Sequence, residues 1–321
     1  VRKENRPYTP DEVAELLQIS KHTVYELIKR GELAAFRVGN KMRIEPQDLE
    51  AYKRQTKVSA PSSTTSYSTI ESRNAIVPSY PSPALRLAGS HDFLIEHMTR
   101  FMNVATPALL LHSSYIGSLE GLMMLYRGAT DIAAIHLIDP ATREYNLPFI
   151  QRLFIHEPIT VMRLAARTQG FIVAKNNPKN ITTWEDLQRE DVTFVNRQKG
   201  SGTRLLLDAH LAERKIDPQS IQGYEHEEWS HLDTAAWVAR GSADVALGIE
   251  AAARKVDLSF IPVATEYFDL VIRWTDENKA ALTRFCQMVR SAAFKTSLKQ
   301  LEGYDDEELG NIIYETKSIL N

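Results

Sequence analysis

The chain has 321 residues, 43% hydrophobic and 25% charged, with a formal net charge of -3. The length suggests two or three domains and the composition is that of ordinary globular protein. Cys286 is the only cysteine, which excludes an internal disulfide and any cysteine-based metal site, and no apolar run is long enough to span a bilayer.

In chain order, the first pattern is a compact one. Thr9 can cap a helix that starts at Pro10, and Glu12 can return the bond, which makes a capping box with proline at the first helical position. Val13, Leu16 and Leu17 recur at helical spacing and mark one side of that helix as buried. Gln18-Ile19-Ser20 is a tight turn. Ser20 can cap a second helix with Val24, Leu27 and Ile28 inward, and Gly31 can end it in the left-handed conformation. Two helices joined by so short a turn are a helix-turn-helix. The outward residues Lys21, His22, Thr23, Tyr25 and Lys29, with Arg30 at the end, offer donors and an aromatic to a DNA major groove. Residues 35–38 and 41–44 alternate around Gly39-Asn40, which predicts a hairpin. Arg37, Lys41 and Arg43, with Asn40 at the tip, suit a wing lying along the sugar-phosphate backbone. Only Glu26 and Glu32 oppose the bases between Ser20 and Ile44, so the basic footprint is local and the rest of the chain is acidic. An αα-hairpin used for protein contact is the alternative.

The segment carries Thr9-Pro10, Glu12-Val13-Ala14, Leu17, Ser20, Thr23-Val24-Tyr25, Gly31-Glu32-Leu33, Arg37-Val38-Gly39, Arg43-Ile44 and Leu49-Glu50-Ala51-Tyr52. With these it resembles the excisionase-type, MerR-like winged helix-turn-helix family. The resemblance implies a double-stranded DNA operator as partner. Asn40-Lys41-Met42 departs from the family pattern and leaves the groove contacts of the wing tip open.

Residues 56–83 are dominated by Ser, Thr and Pro and read as an extended connector. From Ala84 short apolar runs alternate with helical patterns. Strands are expected at 85–88, 108–111, 131–136, 192–195, 244–247, 258–262 and 268–272. Helices are expected at 93–102, 118–126, from Gly202 to about Leu211, at 232–240, and from Asn278 onward. Strand, polar loop, helix, strand in this rhythm means a parallel sheet with crossover helices. Ligands of such sheets bind beyond the carboxyl ends of the strands. The loops there hold hydroxyls: Ser90, then Ser113 and Ser114 in a loop at 112–117, then Ser201 and Thr203. The sharpest is 196–204, where Gly200 and Gly202 allow close backbone approach and Ser201 can cap a helix. Free amides at that helix start favour an anion, and Arg197 adds a positive fork. Simple capping by Ser201, with Arg197 and Arg204 solvated, is the alternative. His136 ends a strand and could serve an anion or be a buried hinge histidine. Glu120 reads as a surface or capping charge, Trp229 and Trp237 as core, and Cys286 as a core filler. His226, Glu227, Glu228 and His231 match no metal spacing and read as a solvated loop.

Through Gly89-Ser90-His91-Asp92, Ser113-Ser114, Gly117-Ser118, residues 128–136, Gln169-Gly170, Asn196-Arg197, Ser201-Gly202-Thr203-Arg204 and residues 241–248, the rest of the chain is similar to the type II periplasmic-binding-protein fold, in its tungstate- and molybdate-binding branch. The resemblance implies that Arg197, Ser201, Gly202 and Thr203 hold an oxyanion, with Ser90, Ser113 and Ser114 from the other lobe. His91 departs from the family in the first loop, where it would join the site. The expected fold is therefore an α/β two-lobed type II periplasmic-binding-protein-like domain preceded by a small winged helix-turn-helix domain. The expected boundaries are 1–55, a linker at 56–83, and 84–321, with one lobe at 84–168 and 265–321 and the other at 169–264. The expected function is a ligand-responsive transcriptional regulator, not an enzyme. Its effector would be tungstate or molybdate, it would need no cofactor or cation, and it would act as a homodimer on DNA without a membrane. The polar residues 1–8 and the lone cysteine lead to the expectation of a reducing cytoplasm and no secretion signal. The alternatives are a regulator of a small organic anion, an enzyme of cofactor biosynthesis, and a recombination accessory factor.

Overall fold

The computed structural model describes residues 7–17, 24, 27–28, 33–38, 41–46, 48–49, 52, 84–105 and 109–316. They belong to two units, Val1–Val77 and Pro78–Asn321.

In the first unit, helix α1 (Pro10–Leu17) starts where Thr9 and Glu12 exchange bonds. Thr9 N donates to Glu12 Oε2 at 2.8 Å and Glu12 N donates to Thr9 Oγ1 at 3.2 Å, the expected capping box. Strands β1 (Phe36–Val38) and β2 (Lys41–Arg43) pair antiparallel with Val38 opposite Lys41, as the alternation predicts. Tyr8 bridges to Ile44 and ties the entry to α1 onto the hairpin. Val13, Ala14, Val24, Leu27, Leu33, Ile44 and Leu49 close the core. Leu16 departs from expectation and is 51% exposed, because so small a core covers a narrow stripe of the helix and leaves its shoulder in water. The side chain of Arg43 donates to the Met42 carbonyl at 2.9 Å. Arg37 and Lys41 have described backbone in the hairpin. Lys21, His22, Thr23, Tyr25, Lys29, Arg30, Asn40 and the connector at 56–83 lie outside the described residues.

The second unit runs β3 (Ala84–Gly89), α2 (Phe93–Ala105), β4 (Leu110–Tyr115), α3 (Ser118–Tyr126), β5 (Ile132–Ile135), α4 (Leu147–Leu153), β6 (Ile159–Val173), β7 (Phe194–Arg197), α5 (Gly202–Arg214), β8 (Glu227–Glu228), α6 (His231–Ala239), β9 (Val245–Ile249), α7 (Glu250–Lys255), β10 (Ser259–Arg273), α8 (Lys279–Val289), α9 (Ala292–Leu298), β11 (Tyr304–Asp305) and β12 (Ile312–Glu315). The strands make one sheet in the order β4-β3-β5-β10-β6-β9-β7-β8, with β11 and β12 also on β6. β3 is parallel to β4 and β5, and β7 is parallel to β9 and β8. Between these groups β6 and β10 pair antiparallel over their whole lengths, with register shifts at Pro262/Ala264 and Phe268/Asp269.

Helices cover both faces, so strand residues of either parity are buried. In β5, Ile132 and Ala134 join one apolar cluster while Ala133 and Ile135 join another. In β9, Val245 and Leu247 face the cluster under α5, and Ala246 and Ile249 face the one under α6 and α7. Cys286 is buried in the cluster shared by α2, α8 and α9, as expected. The expected strands at 258–262 and 268–272 are one continuous strand. The strand at 159–173 and the two short strands after α9 were not expected from the sequence. β4 continues through Tyr115, which places Ser113 and Ser114 within a strand, not in a loop.

Candidate functional site

The carboxyl ends of β3, β5 and β7 and the middle of β6 and β10 carry a buried polar cluster. Arg197, the last residue of β7, is 2% exposed. Its Nε donates to Gln198 Oε1 at 3.2 Å and its Nη2 to the Trp229 carbonyl at 3.0 Å. Its Nη1 is buried without a partner. Burial, with Arg167 adding repulsion, brings this guanidinium down to about 10. Arg204, by contrast, is fully occupied: it reaches Asp208 at 3.1 Å and Glu227 at 2.8 Å and lies over the Tyr224 ring.

Helix α5 begins beside Arg197. Ser201 is its cap, accepting from Arg204 N at 3.1 Å. Gly202 and Thr203 are buried, and their amides sit in the first turn, where a helix has no internal acceptor. Thr203 Oγ1 accepts from Gln169 Nε2 at 2.9 Å, which leaves the hydroxyl proton to give. Gly202 is required by closeness: a Cβ there would stand 2.3 Å from the His136 carbonyl oxygen. The start of α3 also meets the turn before α5 where Leu119 N donates to the Gly200 carbonyl at 3.2 Å.

Arg167 of β6 lies opposite Glu266 of β10 in register. Both are fully buried, and Arg167 binds Glu266 and Asp92 together. Tyr304 donates to Asp92 at 2.9 Å, and Gln169 Nε2 donates to Glu266 at 2.9 Å. Burial pushes the Glu266 carboxyl up, but Arg167 and His136 prevail and hold it down to about 2. Ionised Glu266 accepts from His136 Nδ1 at 2.8 Å, which makes His136 Nε2 an acceptor for the Ser90 hydroxyl at 2.9 Å. Ser118 Oγ completes the row 2.8 Å from Ser90 Oγ. The order Ser90, His136, Glu266 is that of a nucleophile, base and carboxylate. Here burial holds His136 below its ordinary value, which makes it a poor base. It serves as a structural link from β3 to the central strands.

The structure thus brings Ser90, Arg197, Ser201, Gly202 and Thr203 to one buried cluster. It places Ser113 with its Oγ 2.9 Å from Thr99 Oγ1, toward α2, and leaves Ser114 exposed on the edge strand. His91 is half-buried, 2.8 Å from Glu96 and edge-on to Tyr115. Trp229 is a correction: it is 63% exposed, because its carbonyl, not its ring, is what the cluster uses. His231 is another, since it is 1% exposed and not in solvent. Glu120 is exposed and 3.4 Å from Arg127. Among the described residues no His, Cys, Asp and Glu group could hold a metal ion. Arg167 and Glu266 were not singled out from the sequence, where each is a charge in a run that also carries Arg163 or Asp269. No helix among the described residues is long and apolar enough to cross a membrane.

Residues 99–290 match the family model of the PBP superfamily domain, and residues 7–57 match that of a helix-turn-helix domain. The Bacillus subtilis (strain 168) protein YvgK is 36% identical over 318 residues, covering 98% of this chain and 99% of YvgK. A Clostridium pasteurianum protein encoded in the 5′ region of a 2Fe-2S ferredoxin gene is 43% identical over 112 residues, which is 35% of this chain and 99% of that one. Among solved structures, a putative phosphate ABC transporter substrate-binding protein with bound phosphate from Clostridium perfringens aligns with TM-score 0.51 and 15% identity, over 69% of this chain and 98% of that one. The sulfate-binding protein SubI from Mycobacterium tuberculosis aligns with TM-score 0.51 and 16% identity, over 69% and 86%. At these identities the two structures show a shared fold. With its central sheet, its buried cluster at the strand ends and its helix-turn-helix segment, the chain belongs to the PBP superfamily domain family and to the family of YvgK.

Proposed function

We propose that this protein is a DNA-binding transcriptional regulator whose second unit binds a small oxyanion, with tungstate or molybdate first among the ligands to try. The observation that carries the reading is Arg197: a buried guanidinium with an unpartnered Nη1 and no ion pair among the described residues, beside the open amides of α5. A buried charge needs a counter-charge, and a tetrahedral anion on Arg197, Gly202 N, Thr203 N and the Thr203 hydroxyl supplies it. Ser90 is committed to His136 and would support the site through that link. The neighbours in fold that hold phosphate and sulfate agree with this chemistry. The ligand would sit between a lobe of 84–168 with 265–321 and a lobe of 169–264, and favour the closed arrangement. The winged helix-turn-helix would read an operator through the recognition-helix and wing residues Lys21, His22, Thr23, Tyr25, Lys29, Arg30, Arg37, Asn40, Lys41 and Arg43, as a homodimer on paired half-sites.

The test is a thermal-shift and calorimetric screen of the full chain with tungstate, molybdate, sulfate and phosphate, on wild type and Arg197→Met. Wild type should be stabilised by at least one anion. Arg197→Met should lose about 2–5 kcal/mol of binding, about thirtyfold or more in affinity. Its ligand-free stability should hold or rise, since an unpaired buried charge is removed. Equal binding by both proteins would remove Arg197 from the site.

A further inference from the structure

His231 opens helix α6, whose cap Ser230 accepts from Asp233 N at 3.0 Å. Its side chain is 1% exposed, and neither ring nitrogen has a hydrogen-bond partner. A buried polar ring with both nitrogens empty is costly, and native proteins keep few such groups without a reason. Arg197, Arg167, His136 and His91 are the charged or titratable groups that act on it most, and they come from β7, β6, the end of β5 and the loop after β3. Its Nδ1 lies against Gly248 of β9, at 3.4 Å from where a Cβ would stand. Two residues before it, the Trp229 carbonyl accepts a hydrogen bond from Arg197 Nη2. Arg197 Nη1 and both nitrogens of the imidazole are thus empty at two residues that the Trp229 carbonyl links.

We infer that His231 is a third side-chain contact, beside Arg197 and the Thr203 hydroxyl, to the oxyanion, donating a ring N–H to it, so that the ligand lies between the first turns of α5 and α6. This rests on the oxyanion reading above. Burial, then Arg197 and Arg167, hold the imidazole well below its ordinary value, so it is neutral and has one N–H to give. A neutral donor adds a directed bond without a further buried charge, and it fixes the orientation of an anion that Arg197 reaches through Nη1 alone. The inference adds a residue outside the Arg-Ser-Gly-Thr segment and explains why a histidine without partners is tolerated at a helix start.

The experiment titrates tungstate, molybdate, sulfate and inorganic phosphate into the full chain as wild type, His231→Phe and His231→Gln, by calorimetry. Melting temperatures are recorded without anion. For whichever anion binds wild type, His231→Phe should bind about tenfold more weakly, and His231→Gln, which keeps an N–H donor, should stay within about threefold. Without anion, His231→Phe should melt no lower than wild type, because a purely structural histidine would be missed there and an empty one would not. If His231→Phe fails to fold, long-range proton–nitrogen spectra of the wild-type imidazoles decide: the His231 ring nitrogens should shift on anion addition. Unchanged affinity in His231→Phe, or unmoved ring nitrogens on saturation, overturns the inference and leaves the Arg197 reading standing. No binding of any anion to wild type overturns both.

Discussion

Arg167 holds two carboxylates, while Arg197 holds none among the described residues. The same residue type, equally buried, thus does two jobs. Arg167 is raised by Glu266 and Asp92 against its burial, a permanent ion set, whereas Arg197 is lowered by burial and by Arg167 and has no ion pair among the described residues. The titratable groups of this cluster give a defined acid response. His136 and His231 have folded pKa values below the ordinary 6.5, so the unfolded chain binds the extra protons as pH falls through that value. Glu266 lies below its ordinary 4.5, so its contribution is present above that and is lost on the way down to about 2. Both signs agree. The melting temperature without anion should be level at pH 7–8 and fall from about pH 6.5, then fall again below about pH 4.5. Calorimetry across that range checks it, and a melting temperature that rises on acidification to pH 5.5 contradicts it. At this scale the sequence showed Arg197, Ser201, Gly202 and Thr203, because all are neighbours in one short segment. It hid Arg167 and Glu266, which are 99 residues apart and meet only through strand register. His231 was hidden by its company, since His226, Glu227 and Glu228 beside it are more accessible.

Among the elements, the start of α5 is the most constrained. Gly202 abuts the end of β5 so closely that a methyl group has no room. Gly202→Ala should force the two parts of the cleft apart and destabilise the ligand-free fold by about 1–3 kcal/mol. It should also weaken oxyanion binding far more than Gly241→Ala, whose Cβ would meet nothing within 4 Å. Gly241 has a φ of 71°, so the control carries its own backbone strain, and the comparison is made on affinity and not on stability. Small-angle scattering of Gly202→Ala should show a wider particle than wild type; identical curves with wild-type affinity would defeat the prediction. The helix Ser118–Tyr126 was readable end to end from its apolar spacing alone, since Gly117 stands at its cap and no side chain caps it. The strand Ile159–Val173 was not. Arg163, Arg167 and Gln169 interrupt its apolar run, and their partners Asp269, Asp92, Glu266 and Thr203 lie far away in the chain. Its mate Ser259–Arg273 looked like two short strands because the bulges near Pro262 and Phe268 break the alternation.

For the whole molecule, a regulator that binds both an anion and an operator must make the two ligands answer to each other. If the anion changes operator affinity by some factor, operator DNA must change anion affinity by the same factor, about 5–150-fold for coupling of ordinary size. Fluorescence anisotropy on an operator selected from a random pool, with and without saturating anion, gives one side, and calorimetry on the DNA complex gives the other. Unequal factors would mean that more states take part, and a factor of one in both would separate the two units functionally. The domain order was legible because a basic, glycine-punctuated segment, a Ser/Thr/Pro run and an alternating apolar chain have different compositions. The sheet's central crossing was not, since antiparallel pairing of two strands more than eighty residues apart leaves no local trace. That crossing has a mechanical meaning. β6 and β10 are hydrogen-bonded as a ladder of 15 residues each, with the Arg167–Glu266 rung riveted near mid-length. Such a ribbon yields by torsion, shared as small dihedral changes over many residues, and not by bending at one loose joint.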